Sequence, residues 1–192
     1  LVQGMLQLSR VEVGSALKFE SFDAVEAVES CIAAAEAIAH GKGVEIDVRR
    51  PTEPVQIRSD RDGFQTIVSN LLSNSVRYTQ GGGSVTVELR EADQSLILEI
   101  SDTGIGMSPE DLKRVFERFY RAEKDRASHT GGTGLGLSIV KHLTQALGGT
   151  VQAESQLGAG SSFVVELPKQ PALDSVERPN ARNQSISSSN SG

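Results

Sequence analysis

FQTIVSNLLSNSVRYT, residues 64–79, carries two different stripes of side chains if it forms a helix. Residues three and four positions apart share one face of a helix. One stripe is apolar apart from a single serine, and its members are Phe64, Val68, Leu71, Leu72 and Ser75. The other holds two amides, a cation and a phenol, namely Asn70, Asn74, Arg77 and Tyr78. The stretch therefore predicts a helix that packs its first stripe against a sheet and presents polar chemistry on its second.

The polar stripe has two interpretations. Asparagine is unfavourable inside a helix, because its side chain competes for backbone hydrogen bonds. Two asparagines one turn apart either belong to a solvated face or serve a site for a metal-bound polyphosphate. Amide oxygens suit Mg²⁺, Arg77 would meet a phosphate, and Tyr78 offers a flat apolar surface. The helix alone leaves both interpretations open.

Outward from this helix, strand and helix patterns are interleaved. ALKFESF (16–22), VEIDVRR (44–50) and VQIRS (55–59) read as strands, and a helix capped by Asp23 runs from about Ala24 to His40. Ser59 or Asp60 caps the helix described above, and SVTVELRE (84–91) with SLILEIS (95–101) predicts a hairpin. A short helix near 109–116, a helix at about 135–147 and two final strands follow. Because several strands join by short turns, we expect an α+β fold, a two-layer sandwich in which a mixed β-sheet is backed by helices.

Composition limits the class of protein. The 192 residues suffice for one domain, and their net charge of −6 argues against a nucleic-acid partner. No apolar run approaches the roughly 20 residues that span a bilayer. The lone cysteine, Cys31, excludes an internal disulfide and is expected to be a small buried apolar residue, as suits a reducing, cytoplasmic setting.

A second candidate feature is ILEISDTGIGM, residues 97–107, in which an apolar strand ends at an acid followed by two glycines. Asp102, Gly104 and Gly106 form either an ordinary turn or a site for a nucleobase. In the second interpretation, the buried carboxylate accepts from an adenine amino group, and the glycines let the base approach the backbone.

Two further stretches carry glycines and arginines. HTGGTGLGLSIV, residues 129–140, leads glycines straight into a helix start, where backbone N–H groups bind phosphate. It matches neither the Walker A loop nor the dinucleotide fingerprint. FERFYR, residues 116–121, places aromatics among Arg118 and Arg121 inside a long charged loop. These arginines are either ordinary surface residues or groups that offset charge during phosphoryl transfer.

The four stretches, in this order and at these spacings, resemble the N, G1, F and G2 boxes of sensor histidine kinases. The strings are NLLSNSVRYT, DTGIGM, FERFYR and GTGLGLS, and GAGSSF (158–163) is similar to the last glycine box of that family. The resemblance implies the Bergerat (GHKL) ATPase fold, with a flexible lid over ATP within 103–132. It implies a catalytic domain over 16–168, preceded at 1–15 by the end of a dimerisation helix. We expect residues 169–192, rich in Ser, Asn, Gln and Pro, to form a disordered tail.

The resemblance also implies roles for individual residues. Asn74 would bind Mg²⁺, Asn70, Arg77 and Arg121 would lie near the phosphates, and Asn70 and Arg121 would be catalytic. Tyr78 would pack beside the nucleoside, and Asp102 would bind the adenine amino group. The remaining residues expected at the nucleotide come from the G1, F and G2 boxes: Gly104, Ile105, Gly106, Arg118, Gly132, Thr133, Gly134, Leu135, Gly136 and Leu137.

One position favours a kinase over a hydrolase. Gyrase-type relatives usually carry a glutamate at the place of Asn70, and an amide is not a competent general base. Ser75 and Arg77 depart mildly from the family, which usually has Ala and often Lys there. None of the three histidines, His40, His129 and His142, has the acidic neighbour and following proline of a phosphoacceptor. We therefore expect this chain to bind Mg-ATP without phosphorylating itself.

The resemblance implies transfer of the γ-phosphoryl group to a histidine of an upstream dimerisation domain, and relay to an aspartate of a response regulator receiver domain. It implies a homodimeric parent anchored in the inner membrane with this domain in the cytoplasm, and it leaves a monomer open for this chain. Two other functions remain. One is a serine kinase acting on an anti-sigma factor antagonist, and the other is a pseudo-kinase that serves as a docking module.

Overall fold

The computed structural model describes residues 17–122 and 133–170, and these ranges contain seven strands and four helices. In chain order the elements are β1 (Phe19–Asp23), α1 (Ala24–Lys42), β2 (Glu45–Arg49), β3 (Gln56–Asp60), α2 (Arg61–Tyr78), β4 (Ser84–Glu91), β5 (Ser95–Asp102), α3 (Pro109–Arg114), α4 (Gly136–Ala146), β6 (Thr150–Gln156) and β7 (Gly160–Pro168). The predicted segment 1–15 and residues 171–192 of the predicted tail (169–192) lie outside the described residues. Lys169, the first residue of that tail, is described, and its backbone is hydrogen-bonded to Arg58 and Gln94.

The main sheet is mixed, as the short turns between strands predict. Its five strands stand in the order β2-β4-β5-β7-β6, with β2 parallel to β4 and the other neighbours antiparallel. β1 and β3 pair separately as an antiparallel ribbon. β5 lies at the centre of the main sheet, so its last residue, Asp102, is held between Val85 of β4 and Ser161 of β7.

Helix α2 packs its apolar stripe into the core. Phe64, Val68, Leu71, Leu72 and Ser75 are all buried, which confirms the predicted inward face. They meet the inward residues of β5, where burial alternates along the strand, as expected for a sheet with one covered face. The ring of Phe64 lies 5.7 Å from that of Phe22, measured between centroids. Packing on one face leaves the opposite face of α2 available for the site.

Two aspartates set where the long helices begin. Asp23 Oδ1 accepts a hydrogen bond from Val25 N at 3.0 Å, and Asp60 Oδ1 accepts one from Gly63 N at 2.7 Å. Each satisfies a backbone donor that the first helical turn leaves unbonded. Of the two candidates for the cap of α2, the structure selects Asp60, because Ser59 is buried within β3.

Cys31 confirms the expectation of a buried small residue. It lies on α1, and its thiol donates to the backbone oxygen of Gln65 at 3.7 Å. Burial raises the pKa of the thiol, although a contact with the Ser69 side chain acts in the opposite direction. Among the described residues, no helix combines the length and apolarity needed to cross a bilayer.

Candidate functional site

A cavity of about 1520 Å³ opens between α2, the end of β5, α3 and the start of α4. Most of the residues predicted from the four sequence stretches line it: Asn70, Asn74, Arg77, Tyr78, Asp102, Gly104, Ile105, Gly106, Arg121, Thr133, Gly134, Gly136 and Leu137. A second groove, of about 640 Å³ between α1 and β2, shares no lining residue with it. The polar stripe of α2 thus faces a cavity instead of open solvent.

The two asparagines of α2 face the first residue of α4. Asn70 Nδ2 donates to the backbone oxygen of Thr66 at 2.8 Å, which fixes its amide and leaves Oδ1 toward Gly136. A Cβ added at Gly136 would stand 3.0 Å from Asn70 Oδ1 and 3.7 Å from Asn74 Nδ2. The absence of a side chain at Gly136 therefore lets the start of α4 approach both amides.

The start of α4 carries backbone donors toward the same cavity. The helix begins at Gly136, and the preceding Leu135 makes no side-chain capping bond. The first N–H groups of a helix have no acceptor within the helix, and its dipole is positive at that end. This end of α4 is therefore suited to an anionic group lying beside the two amides.

Asp102 is the buried acid of the site. It is 8% exposed, and its Oδ1 accepts hydrogen bonds from Gly104 N at 2.9 Å and Ser161 N at 3.3 Å. Burial raises the pKa of the carboxyl, while the hydrogen bond from Gly104 N, the nearby Ser75 side chain and the hydrogen bond from Ser161 N oppose that rise. A buried carboxylate that keeps one oxygen oriented in this way can accept from an amino group in the cavity.

Glycine at position 104 is required by close packing. A Cβ there would lie 2.5 Å from the backbone oxygen of Tyr78 and 2.8 Å from Asp102 Oδ1. Ile105 N also donates to that Tyr78 oxygen at 3.2 Å. The end of α2 and the turn after β5 are thereby joined, so the phenol and the acid belong to one wall of the cavity.

The FERFYR stretch is tied to the cavity from both sides. Phe119 N donates to the backbone oxygen of Gly134 at 2.9 Å, and Tyr120 OH donates to Asp111 Oδ1 at 2.7 Å. The hydrogen bond from Tyr120 is the largest cause that lowers the pKa of Asp111. The guanidinium of Arg114 lies 4.3 Å from the centroid of the Tyr120 ring. α3 therefore anchors the aromatic stretch whose last residue, Arg121, lines the cavity.

Two of the predicted nucleotide residues that the structure describes do not line the cavity. Arg118 is exposed in the turn after α3, and Leu135 is buried at 1% exposure, because its apolar side chain packs into the core. Gly132 lies outside the described residues. The prediction for Arg118 and Leu135 rested on their membership of a motif, which does not specify where each side chain points.

The cavity is also lined by residues for which no nucleotide contact was predicted. Ser161 belongs to GAGSSF, the stretch that is similar to the last glycine box, and no individual role was predicted for it. Asp111 and Arg114 had no signal in the sequence, because a short charged helix is usually a solvated surface. Further lining residues of this kind are Gln80, Gly83, Met107, Ser108, Tyr120 and Phe163.

The donor set fits a magnesium ion held jointly with a ligand. Within 17–122 and 133–170, no group of three or more His, Cys, Asp or Glu side chains could hold a metal by itself. Mg²⁺ is commonly bound by one or two protein oxygens together with substrate phosphates and water. The amides of Asn70 and Asn74, beside an anion-binding helix start, suit that arrangement.

The chain is similar to known proteins over most of its length. Residues 59–171 match the family described as histidine kinase-, DNA gyrase B- and HSP90-like ATPase. The sensor-like histidine kinase SenX3 of Mycolicibacterium smegmatis is 33% identical over 178 residues, covering 91% of this chain and 46% of that protein. The chain thus spans less than half the length of the SenX3 proteins it matches.

Solved structures of histidine kinases have the same fold. The mycobacterial sensor histidine kinase MprB superposes with a TM-score of 0.69 at 29% identity, covering 80% of this chain and 100% of that one. Full-length ShkA in complex with AMPPNP gives a TM-score of 0.74 at 29% identity, covering 87% of this chain and 35% of that one.

Proposed function

The chain belongs to the family of histidine kinase-, DNA gyrase B- and HSP90-like ATPases, and from that membership we propose that it is the catalytic domain of a sensor histidine kinase. It binds Mg-ATP and transfers the γ-phosphoryl group to a histidine of an upstream dimerisation domain. The phosphoryl group then passes to an aspartate of a response regulator receiver domain. The intact protein is a homodimer anchored in the inner membrane, with this domain in the cytoplasm.

One observation carries the proposal: the amide stripe of α2, the acid at the end of β5 and the start of α4 meet in a single cavity. Asp102 accepts a hydrogen bond from the amino group of adenine, and Tyr78 packs beside the nucleoside. The free N–H groups at the start of α4 and the guanidinium groups of Arg77 and Arg121 receive the phosphates. Each group is matched to one part of a nucleoside triphosphate.

The site orients a phosphoryl group and has, at Asn70, no general base that would activate water to attack it. Asn74, with the phosphates, holds Mg²⁺, which supplies positive charge to the phosphate oxygens when bound. Asn70 is an amide, so it cannot remove a proton from a water molecule as a glutamate could. A histidine nitrogen then forms a bond to the γ-phosphorus, and the bond from that phosphorus to the oxygen bridging the β- and γ-phosphates breaks. ADP leaves with that oxygen. This transfer depends on positioning and on electrostatic stabilisation.

Calorimetry with ADP and Mg²⁺ tests the binding part of this proposal. We expect a saturable heat, which Asp102→Asn reduces strongly and Ser69→Ala, an exposed change on the same helix, leaves intact. No heat and no thermal protection at about millimolar ligand would contradict nucleotide binding. The kinase part is tested on the intact protein with γ-labelled ATP, where acid-labile label separates a kinase from a pseudo-kinase.

A further inference from the structure

Two buried hydroxyl groups in the described part of the chain have no hydrogen-bond partner at good geometry. They are Ser75 Oγ on α2 and Thr144 Oγ1 on α4. Buried polar groups are nearly always paired, so each exception calls for an explanation. Ser75 is 1% exposed and belongs to the face of α2 that covers the sheet, where an apolar side chain would be expected. Alanine at this position would have no buried hydroxyl group in need of a hydrogen-bond partner.

Ser75 differs from Thr144 in its neighbour. Its side chain lies beside the carboxyl of Asp102 and favours the ionised form of that acid. The two geometrically well-formed hydrogen bonds to the carboxyl, from Gly104 N and Ser161 N, both go to Oδ1. Oδ2 is therefore left for a ligand, and Ser75 is a hydroxyl beside the same carboxyl with its proton uncommitted.

We propose that Ser75 is a positioning residue for Asp102, whose hydroxyl holds the carboxylate so that it accepts the exocyclic amino group of an adenine base. This inference rests on the proposed function. The packing around Ser75 supports it, because Thr79 N and Thr79 Oγ1 both bond to the Ser75 backbone oxygen, at 3.1 and 2.7 Å. The serine is thus fixed on a rigid helix end, and only its hydroxyl is free to rotate.

The pH at which Asp102 loses its charge distinguishes a Ser75 that positions the carboxylate from a Ser75 that only fills space in the core. The titratable groups that line the cavity with it come from α2, from α3 and from the segment after α3: Arg77, Tyr78, Asp111, Arg114, Tyr120 and Arg121. β4 and β7, which flank Asp102, place no titratable side chain in the lining, and no charged group is among the causes of its pKa shift. Loss of the Ser75 hydroxyl should therefore raise the pKa of the Asp102 carboxyl further.

The test compares Ser75→Ala with Thr144→Val, the matched removal of the other unpartnered hydroxyl. We expect Ser75→Ala to bind ADP and Mg²⁺ at least about tenfold more weakly than the unaltered chain, because the ligand-binding carboxylate loses its neighbouring hydroxyl donor. As the pH is lowered, the affinity of this variant for ADP should begin to fall at a higher pH than the affinity of the unaltered chain does. Thr144→Val should change neither quantity, and circular dichroism should show all variants folded.

A double-mutant comparison identifies the partner through which Ser75 acts. If Ser75 works through the carboxylate, Ser75→Ala should cost no additional affinity in an Asp102→Asn background. Unchanged affinity and an unchanged pH profile in Ser75→Ala, with Asp102→Asn still impaired, would overturn this inference alone. Failure of the unaltered chain to bind ADP would overturn the proposed function and this inference together.

Discussion

Asn74 is the residue on which the proposed magnesium site depends. It shares the polar face of α2 with Asn70, and its amide nitrogen lies near the start of α4. Because no carboxylate cluster among the described residues could replace it, Asn74→Ala should weaken Mg-nucleotide binding by about tenfold to a hundredfold.

The measurement is calorimetry with ADP, performed with Mg²⁺ and again with a chelator. The unaltered chain should bind more tightly with the metal, and Asn74→Ala should lose that difference while keeping its unfolding transition. Ser69→Ala, at an exposed position of α2 that does not line the cavity, serves as the control. A full magnesium effect in Asn74→Ala would remove this residue from the metal site.

Asp102 predicts a pH dependence of stability that opposes that of ordinary carboxylates. Burial raises its pKa in the folded protein above the unfolded value. Between those two values the folded state binds more protons than the unfolded state, so this group lowers the free energy of unfolding as pH rises. The stabilising contribution of Asp102 is constant below the unfolded pKa, and it is fully lost above the folded pKa.

Asp102→Asn should therefore gain stability relative to the unaltered chain as pH rises through that window. Urea denaturation at a series of pH values measures the difference between the two proteins, in which the other carboxylates cancel. At neutral pH the variant should unfold no more easily, yet bind ADP about tenfold to a hundredfold more weakly. A difference in stability that shrinks with rising pH would show that the folded pKa is not raised.

At the scale of elements, Gly134 joins the FERFYR stretch to the start of α4. Its φ of +72° is costly for any residue with a side chain, and an added Cβ would lie 2.8 Å from the backbone carbon of Phe119. Gly134→Ala should thus lower the free energy of unfolding by about 2–3 kcal/mol and also weaken ADP binding, since the loop must shift.

Gly148 provides the matched control for this change. Its φ is +82°, and an added Cβ would meet only Pro168 Cγ at an ordinary 3.5 Å. Gly148→Ala should cost about 1–2 kcal/mol of stability from backbone strain alone and leave ADP binding unchanged, because the residue does not line the cavity. Equal effects on binding from both substitutions would show that the contact with Phe119 is not needed.

Local patterns predicted the elements better than their pairing. The two stripes of α2 and the cap at Asp23 follow from spacing and side-chain chemistry, which act within a few residues. The separate β1–β3 ribbon and the parallel pairing of β2 with β4 join segments distant in sequence, so no local pattern reveals them. α1 extends to Lys42, beyond the predicted end at His40, and the Lys42 side chain donates to the Val76 backbone oxygen at 2.9 Å.

The candidate site shows the same division. Motif order predicted that Asn74, Asp102 and Gly134 converge, and they line one cavity. The contribution of Asp111 could not be predicted, because it depends on a hydrogen bond from Tyr120 that forms only in the folded chain. Arg118 and Leu135 were placed by motif membership, although side-chain direction is decided by packing.

For the whole molecule, the position of the histidines predicts how the chain handles a phosphoryl group. His40 is exposed in the last turn of α1, and His142 is half-buried on α4, yet neither lines the cavity. In-line transfer requires the attacking nitrogen to approach the γ-phosphorus within the site. Neither described histidine is placed to do so within its own chain.

We therefore expect this chain, incubated with γ-labelled ATP and Mg²⁺, to acquire no acid-labile, base-stable label. The same preparation must bind ADP by calorimetry, so that the absence of label cannot be attributed to an inactive site. Stable label on the chain would contradict the prediction, and labelling of His40→Gln, His129→Gln and His142→Gln variants would then identify the acceptor. His129 lies outside the described residues, so only its variant tests whether that histidine accepts the phosphoryl group.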